Sequence, residues 1–383
     1  MLHAMADLHR LSVIYYHSVG PVKEDWENSF LTTGADVFEE HLAWLSRRYS
    51  TISLTEYREI RNGLKPPLKN PLVITFDDGY LDNWLWAFPL LWKYGMKATI
   101  FVSPEFVDER SGCRPKSDDQ AHGEKGSKEL NGWGFLSWDE MRMMESSGLI
   151  DIQSHAMTHT RYFVSDKLTG FHRPGGKILY PVINAFPEIK PYYMGKEDLE
   201  SMLPYGFPLF EDLPALVARK VEINPDFINE CVNLFRNYDF TTHDQSEAFK
   251  LAFPIYSAYL KENRLIIRRE SDEEYDKRVR TEIGLSKKII GEKLNKEVSF
   301  LCWPHGGNND FLHKKALEAG YLMTTTGKVR GLKKDDMTRI PDRVVVDMST
   351  PRRKLRTLFR MRAFSGQEPY YQILNISRKL RRI

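Results

Sequence analysis

The residues of this chain best suited to chemistry lie in three short clusters. An apolar run, Leu72-Val73-Ile74-Thr75-Phe76, ends in Asp77-Asp78-Gly79-Tyr80. Ser154-His155-Ala156-Met157-Thr158-His159 sets two histidines four positions apart. Another apolar run, residues 298–302, leads into Trp303-Pro304-His305-Gly306. Adjacent carboxylates repel unless a cation or a shared proton sits between them. Histidines four apart fall on one side of a helical turn and can grip one metal. One carboxylate added to them makes a His₂Asp set, a common way to hold zinc with a position open for water. The other carboxylate is then available as a base. Each cluster alone has a plainer reading, since Asp-Gly is ordinary turn chemistry and a histidine pair is often structural.

The elements that must position these groups alternate. Residues 10–17, 49–54, 72–75, 97–102 and 149–153 read as strands. Helical spacing of apolar residues follows Phe38, fills residues 55–61, 83–94 and 137–147, and stops at Gly95 and Gly148. Ser137-Trp138-Asp139-Glu140 has the form of a helix N-cap with an acidic first turn. Residues 111–132 read as a loop. The alternation stops near residue 161 and resumes at a long charged helix, 272–294, followed by strands at 298–302, 322–326 and 343–346. Strand–helix alternation implies a parallel α/β sheet or barrel. In such folds ligands bind at the C-terminal ends of the strands, where all three clusters fall.

A chain of 383 residues with 42% hydrophobic and 28% charged residues is ordinary for a globular protein with a large core. Its three cysteines, Cys113, Cys231 and Cys302, are far apart and show no zinc-binding spacing, which fits a reducing compartment. The first residues lack a basic stretch followed by an apolar one, and no apolar run approaches the length of a membrane span. The expectation is a cytoplasmic protein. The formal charge of +3 divides unevenly: residues 351–383 carry ten Lys/Arg against Glu368, or +9, leaving −6 on the rest. The tail also has apolar positions between its basic ones and reads as helical. It is a candidate for the anionic inner face of a membrane, with nucleic acid not expected and a solvated helix or an oligomer contact as the plainer reading.

Taken together the clusters resemble the polysaccharide deacetylases of the NodB-homology class, carbohydrate esterase family 4. Thr75-Phe76-Asp77-Asp78-Gly79 matches the family's first motif in full. His155 to His159 matches the second, with Ala156 in place of a hydroxyl residue, and Pro304-His305-Gly306 matches part of the third. Tyr16-His17-Ser18, Ala98-Thr99-Ile100-Phe101-Val102 and Ser286-Lys287-Lys288-Ile289-Ile290 also resemble family positions. The resemblance covers about residues 10–160 and 275–346 and is nearer the poly-N-acetylglucosamine deacetylase-like variants. It implies a distorted (β/α) barrel that removes an N-acetyl group from an amino-sugar saccharide. It implies a divalent metal, most often Zn2+, on Asp78, His155 and His159, with Asp77 as general base. A zinc ion polarises an acyl carbonyl and lowers the pKa of water to about 7. A backbone N–H from the His305-Gly306 turn is expected to help hold the oxyanion. Tyr80, Trp303, Pro304 and Gly306 are the expected substrate-binding residues.

Two departures stand out. Many members have an arginine in the third motif that orients the base, and Cys302 occupies that position. Many also have a late histidine that donates a proton, and Arg339-Ile340-Pro341-Asp342-Arg343 stands near its expected place. Candidates for the general acid are His17, His305 and His172, with a supporting or core role as the alternative for His17. The domains expected are a catalytic barrel over 1–160 and 272–350, a mostly helical insertion over 161–271 and a basic tail over 351–383. Helices are expected in the insertion at 196–202, 213–221, 226–235 and 247–262. Its aromatic residues, Phe171, Tyr180, Phe186, Tyr192, Tyr193 and Tyr205, either line a sugar groove or form its own core. Other readings stay open: a hydrolase of a non-sugar amide or an O-acetyl ester, or an inactive glycan-binding or scaffold protein.

Overall fold

The computed structural model describes residues 12–22, 26, 28–66, 68–117, 132–242, 244–327 and 336–380. Arg10 and Leu11 of the expected first strand, much of the expected 111–132 loop, and Arg381 and Arg382 of the tail lie outside these residues. Two compact units form, one from Met1–Met157 with Ile283–Ile383, the other from Thr158–Glu282.

The first unit is built on a nine-stranded sheet. Its strands are β1 (Ser12–Tyr16), β2 (Ser50–Thr51), β3 (Pro71–Phe76), β4 (Ala98–Val102), β5 (Ile150–Ser154), β6 (Phe300–Leu301), β7 (Met323–Thr325), β8 (Arg339–Ile340) and β9 (Val344–Val345). They neighbour one another in the order β8-β7-β6-β5-β4-β3-β1-β9, with β2 also paired to β3, and every pairing is parallel. The two ends of this path, β8 and β9, are joined only by Pro341-Asp342-Arg343. Four residues of extended chain span at most about 14 Å, so the sheet must curl until its edges nearly meet. This is the barrel-like α/β architecture that the strand–helix alternation implies.

The core shows the same curl. Val13 of β1, Val73 of β3, Phe101 of β4, Phe300 of β6, Met323 of β7 and Ile340 of β8 all meet in one buried cluster. Side chains alternate across a strand, and these residues are the ones that face inward. Helix α2 (Leu54–Arg61) adds Leu54, Tyr57 and Ile60 to the same cluster. It is started by Ser53 and Glu56, which cap each other's backbone N–H groups. The same box starts the expected helix α4 (Trp138–Ser146), where Ser137 Oγ accepts from the Glu140 N–H at 3.2 Å. Outer helices α1 (Ala35–Ser46) and α3 (Phe88–Tyr94) precede α4 in the chain, and α3 stops at Gly95 in the left-handed conformation. Helices α5 (Asp310–Glu318), α6 (Pro351–Phe364) and α7 (Tyr370–Leu380) also belong to this unit, as do residues 283–294 of the expected long helix Asp272–Leu294, and the tail is helical as expected. Helix α6 packs on β1 and β9, and Ser12 Oγ donates to the Met361 carbonyl at 3.2 Å.

The second unit is less helical than its sequence suggests. Strands Arg161–Phe171 and Pro208–Pro214 pair antiparallel, as do Val221–Ile223 and Ile266–Arg269. Helices Pro225–Leu234 and Gln245–Lys261 form where expected. The helices expected at 196–202 and 213–221 do not. Only a 3-10 turn forms at Leu199–Met202, and Leu213 and Pro214 finish a strand. A two-stranded sheet has only edge strands, where proline is tolerated, and its pairing is too distant in sequence to read from local spacing. Phe171, Phe227, Phe235 and Tyr259 are buried in this unit's own core, whereas Tyr192 and Tyr205 are exposed. Among the described residues no helix is long and apolar enough to cross a membrane.

Candidate active site

Alternation along two in-register strands builds the floor of the site. On β3, Val73 lies in the apolar cluster, and Thr75 and then Asp77 follow it on the inner face toward the rim. On β1, Val13, Tyr15 and His17 climb in step, because Val13 pairs with Val73 and Tyr15 with Thr75. The Asp77 N–H donates to the Tyr16 carbonyl at 3.0 Å, so the rows stay level past the strand ends. His17 Nε2 accordingly lies 3.9 Å from Asp77 Oδ2.

Asp77 and Asp78, adjacent in sequence, face different partners. The backbone turns sharply after Asp77, with φ of +74° at Asp78 and +69° at Gly79. Asp78 Oδ1 lies 3.2 Å from His155 Nε2, both side chains being buried. Asp77, only 5% exposed, is gripped by Arg343, with Nη1 donating to Oδ1 at 2.6 Å and Nη2 to Oδ2 at 2.7 Å. Arg343 lies in the segment that closes the barrel. Its guanidinium also reaches Thr75 Oγ1 at 3.2 Å and sits 4.7 Å from the centre of the Tyr15 ring.

Charge balance follows from this packing. Burial alone would raise the Asp77 carboxyl, but the charge and hydrogen bonds of Arg343 prevail and hold it below the usual carboxylate range. Burial alone would lower His155, yet the neighbouring Cys302 side chain, the hydrogen bond to Asp78 and the charge of Asp77 raise it well above the usual imidazole value. Its Nδ1 lies 2.9 Å from the Cys302 carbonyl. With Nδ1–H donating there, Nε2 is the nitrogen turned toward Asp78, the arrangement that orients a metal-binding histidine.

These atoms fit a cation. Asp78 and His155 present their donor atoms to each other, an oxygen and an imidazole nitrogen of the kind that holds zinc. His159 stands in the second unit, two residues beyond the first, and is tied to His155 by four residues of chain. The stretch is not a helical turn: it leaves β5 as a loop, with positive φ at Ala156 (+58°) and His159 (+40°). The histidine spacing is therefore realised by a sharply bent loop rather than by helix periodicity.

Other expected site residues are placed differently. Tyr80 and Trp303 are 4% and 1% exposed, and Tyr80 packs between Trp26 and Phe135. Such side chains have little surface to offer a sugar. Pro304, His305 and Gly306 form a tight turn, with φ of +55° at His305 and +67° at Gly306. The Gly306 N–H donates to the Trp303 carbonyl at 2.9 Å, so it closes the turn instead of facing an oxyanion. His172, in the second unit, is buried, and its Nε2 bonds the Glu200 carbonyl at 2.8 Å.

Arg343 is the residue that sequence reasoning missed. The arginine looked for at position 302 is supplied instead from residue 343. The small Cys302 side chain leaves room for it, with Sγ 3.2 Å from Arg343 Nη2 and 3.6 Å from Asp77 Oδ1. A signal exists in the sequence: an arginine immediately before a short strand, near the expected place of the late motif.

Residues 65–172 match the family model described as polysaccharide deacetylase. Over 151 residues the chain is 30% identical to YxkH of Bacillus subtilis (strain 168), which bears a polysaccharide deacetylase name, covering 39% of this chain and 43% of that protein. Over 158 residues it is 27% identical to the poly-beta-1,6-N-acetyl-D-glucosamine N-deacetylase of Escherichia coli (strain K12), covering 41% of this chain and 22% of that one. The matched stretch thus spans less than half the length of either relative. Among solved structures, a de-N-acetylase from Aggregatibacter actinomycetemcomitans shares the fold, with a TM-score of 0.54 and 20% identity over 90% of this chain and 98% of that one.

Proposed function

We propose that this chain, whose residues 65–172 match the polysaccharide deacetylase model, is a metal-dependent hydrolase that removes an N-acetyl group from an amino-sugar-containing saccharide. Asp78, His155 and His159 are the proposed ligands of a divalent cation, most often zinc in such donor sets. A cation there supplies Lewis acidity toward an acyl oxygen and toward water.

The chain's own residues supply the rest. Arg343 keeps Asp77 ionised and aims its carboxylate, so that Asp77 can take a proton from attacking water. His17, level with Asp77 and 3.9 Å from it, is the proposed donor of a proton to the leaving amine. The observation that carries this reading is the division between the adjacent carboxylates, Asp78 facing His155 and Asp77 facing Arg343.

The test is acetate release from N-acetylglucosamine oligosaccharides, with bound metal measured in parallel. Asp78→Ala is expected to lose the metal. Asp77→Asn is expected to keep it and slow release by about 10²–10⁴-fold, the usual contribution of a general base. Unchanged metal content in Asp78→Ala would remove the proposed ligand set. Release from O-acetyl but not N-acetyl substrates would make the protein an esterase.

A further inference from the structure

We propose that the C-terminal helices α6 and α7 form a docking surface for an anionic lipid bilayer. On α7, Ile373, Ile376 and Leu380 are exposed at 49%, 59% and 68%. Their spacing of three and four residues places them in one stripe along the helix. On α6, Arg352, Arg356 and Arg360 recur every four residues and are exposed, with Leu355 exposed beside them. The two helices pack against each other. An exposed apolar stripe on one helix and exposed cations on the helix packed against it suit a pair lying in the headgroup layer, apolar side chains in the acyl boundary and guanidinium groups on lipid phosphates.

Charge selects this occupant. Residues 351–383 hold ten Lys/Arg against the single acid Glu368, while the remainder of the chain is net negative. A second copy would set this basic face against an identical one, which disfavours self-association through it. An anionic leaflet attracts each basic residue near its surface. The surface is also joined to the catalytic rim: Arg378 of α7 pairs with Asp342 at 2.9 Å, next to the Arg343 that clamps Asp77. Lipid docking would therefore hold the site next to saccharide borne on a membrane. That last consequence rests on the de-N-acetylase reading, whereas the lipid contact does not.

The test is co-sedimentation of the full chain with phosphatidylglycerol/phosphatidylcholine vesicles and with phosphatidylcholine alone. Binding is expected only to the anionic vesicles and should weaken as salt is raised. The variant Arg352→Gln/Arg356→Gln/Arg360→Gln should bind about 100-fold more weakly at low salt, about fivefold per charge. Ile373→Ser/Ile376→Ser/Leu380→Ser should lose binding while keeping the melting temperature and acetate release from soluble oligosaccharide. Equal binding to neutral vesicles, no binding at all, or a wild-type dimer that the serine variant makes monomeric would each overturn the proposal. Vesicle binding by a chain that releases no acetate would leave it standing while the enzymatic reading fell.

Discussion

Arg343 and Asp77, 266 residues apart in sequence, form a two-pronged ion pair with N–O distances of 2.6 and 2.7 Å. Both partners are largely shielded from water, with side-chain exposures of 13% and 7%. A lone buried carboxylate would drift toward its neutral form, which cannot act as a base. The guanidinium fork fixes both the charge and the direction of the carboxylate.

Arg343→Lys should therefore separate charge from geometry. Lysine keeps a positive charge but cannot reach both oxygens at once. With one of the two hydrogen bonds to the carboxylate lost, burial gains ground and the Asp77 pKa rises. The base must be ionised to work, so the acidic limb of the kcat/KM profile should move to higher pH. Turnover at the plateau should also fall, by about 10²-fold for a misaimed base. The measurement is acetate release from pH 4 to 9, and an unmoved acidic limb would show that Arg343 does not tune Asp77.

Metal binding should release a proton. In the metal-free protein His155 is held well above its usual pKa by Cys302, its hydrogen bond to Asp78 and the charge of Asp77, despite burial. A cation takes the ligand nitrogen only when that proton leaves. Below the raised pKa, apparent zinc affinity should fall about tenfold per pH unit as acidity increases, because one proton is displaced per ion. Calorimetric titration of metal-free protein with zinc, in buffers of different ionisation enthalpy, would count the protons. A count of zero at neutral pH would contradict this account.

Gly79→Ala should destabilise the site's own turn. Gly79 has φ +69°, and an added Cβ would lie 2.7 Å from Val102 Cγ1 on the neighbouring strand. Left-handed strain on a non-glycine residue costs about 1–3 kcal/mol, and the close contact adds to it. A lower melting temperature is expected, together with weaker metal binding as Asp78 is displaced. A variant with wild-type melting and affinity would mean that the turn has slack.

Much of this architecture was readable in the chain. The Leu72–Phe76 run and the residues after it signalled a buried strand with functional groups at its end, because β-branched runs without alternation belong to parallel sheets. Ser137 and Glu140 marked a helix start through local chemistry alone. The readings that failed depend on distant contacts. The edge strand Pro208–Pro214 forms by pairing with Arg161–Phe171, and it takes up the first two residues of the helix expected at 213–221. Tyr80, expected among the substrate-binding residues, is packed by the fold between Trp26 and Phe135. The role of Arg343 was hidden because it reaches Asp77 only through closure of the barrel, which no local pattern reports.

That closure has a consequence for how the protein matures. The chain leaves the ribosome from its N-terminus, so Asp77, Asp78 and His155 emerge long before Pro341-Asp342-Arg343. A nascent chain that stops short of this segment carries both adjacent carboxylates without the cation that neutralises Asp77. Laying the final strand, β9, against the first, β1, both seals the sheet and delivers the counter-charge. Completion of the barrel and delivery of the counter-charge to Asp77 thus arrive as one event.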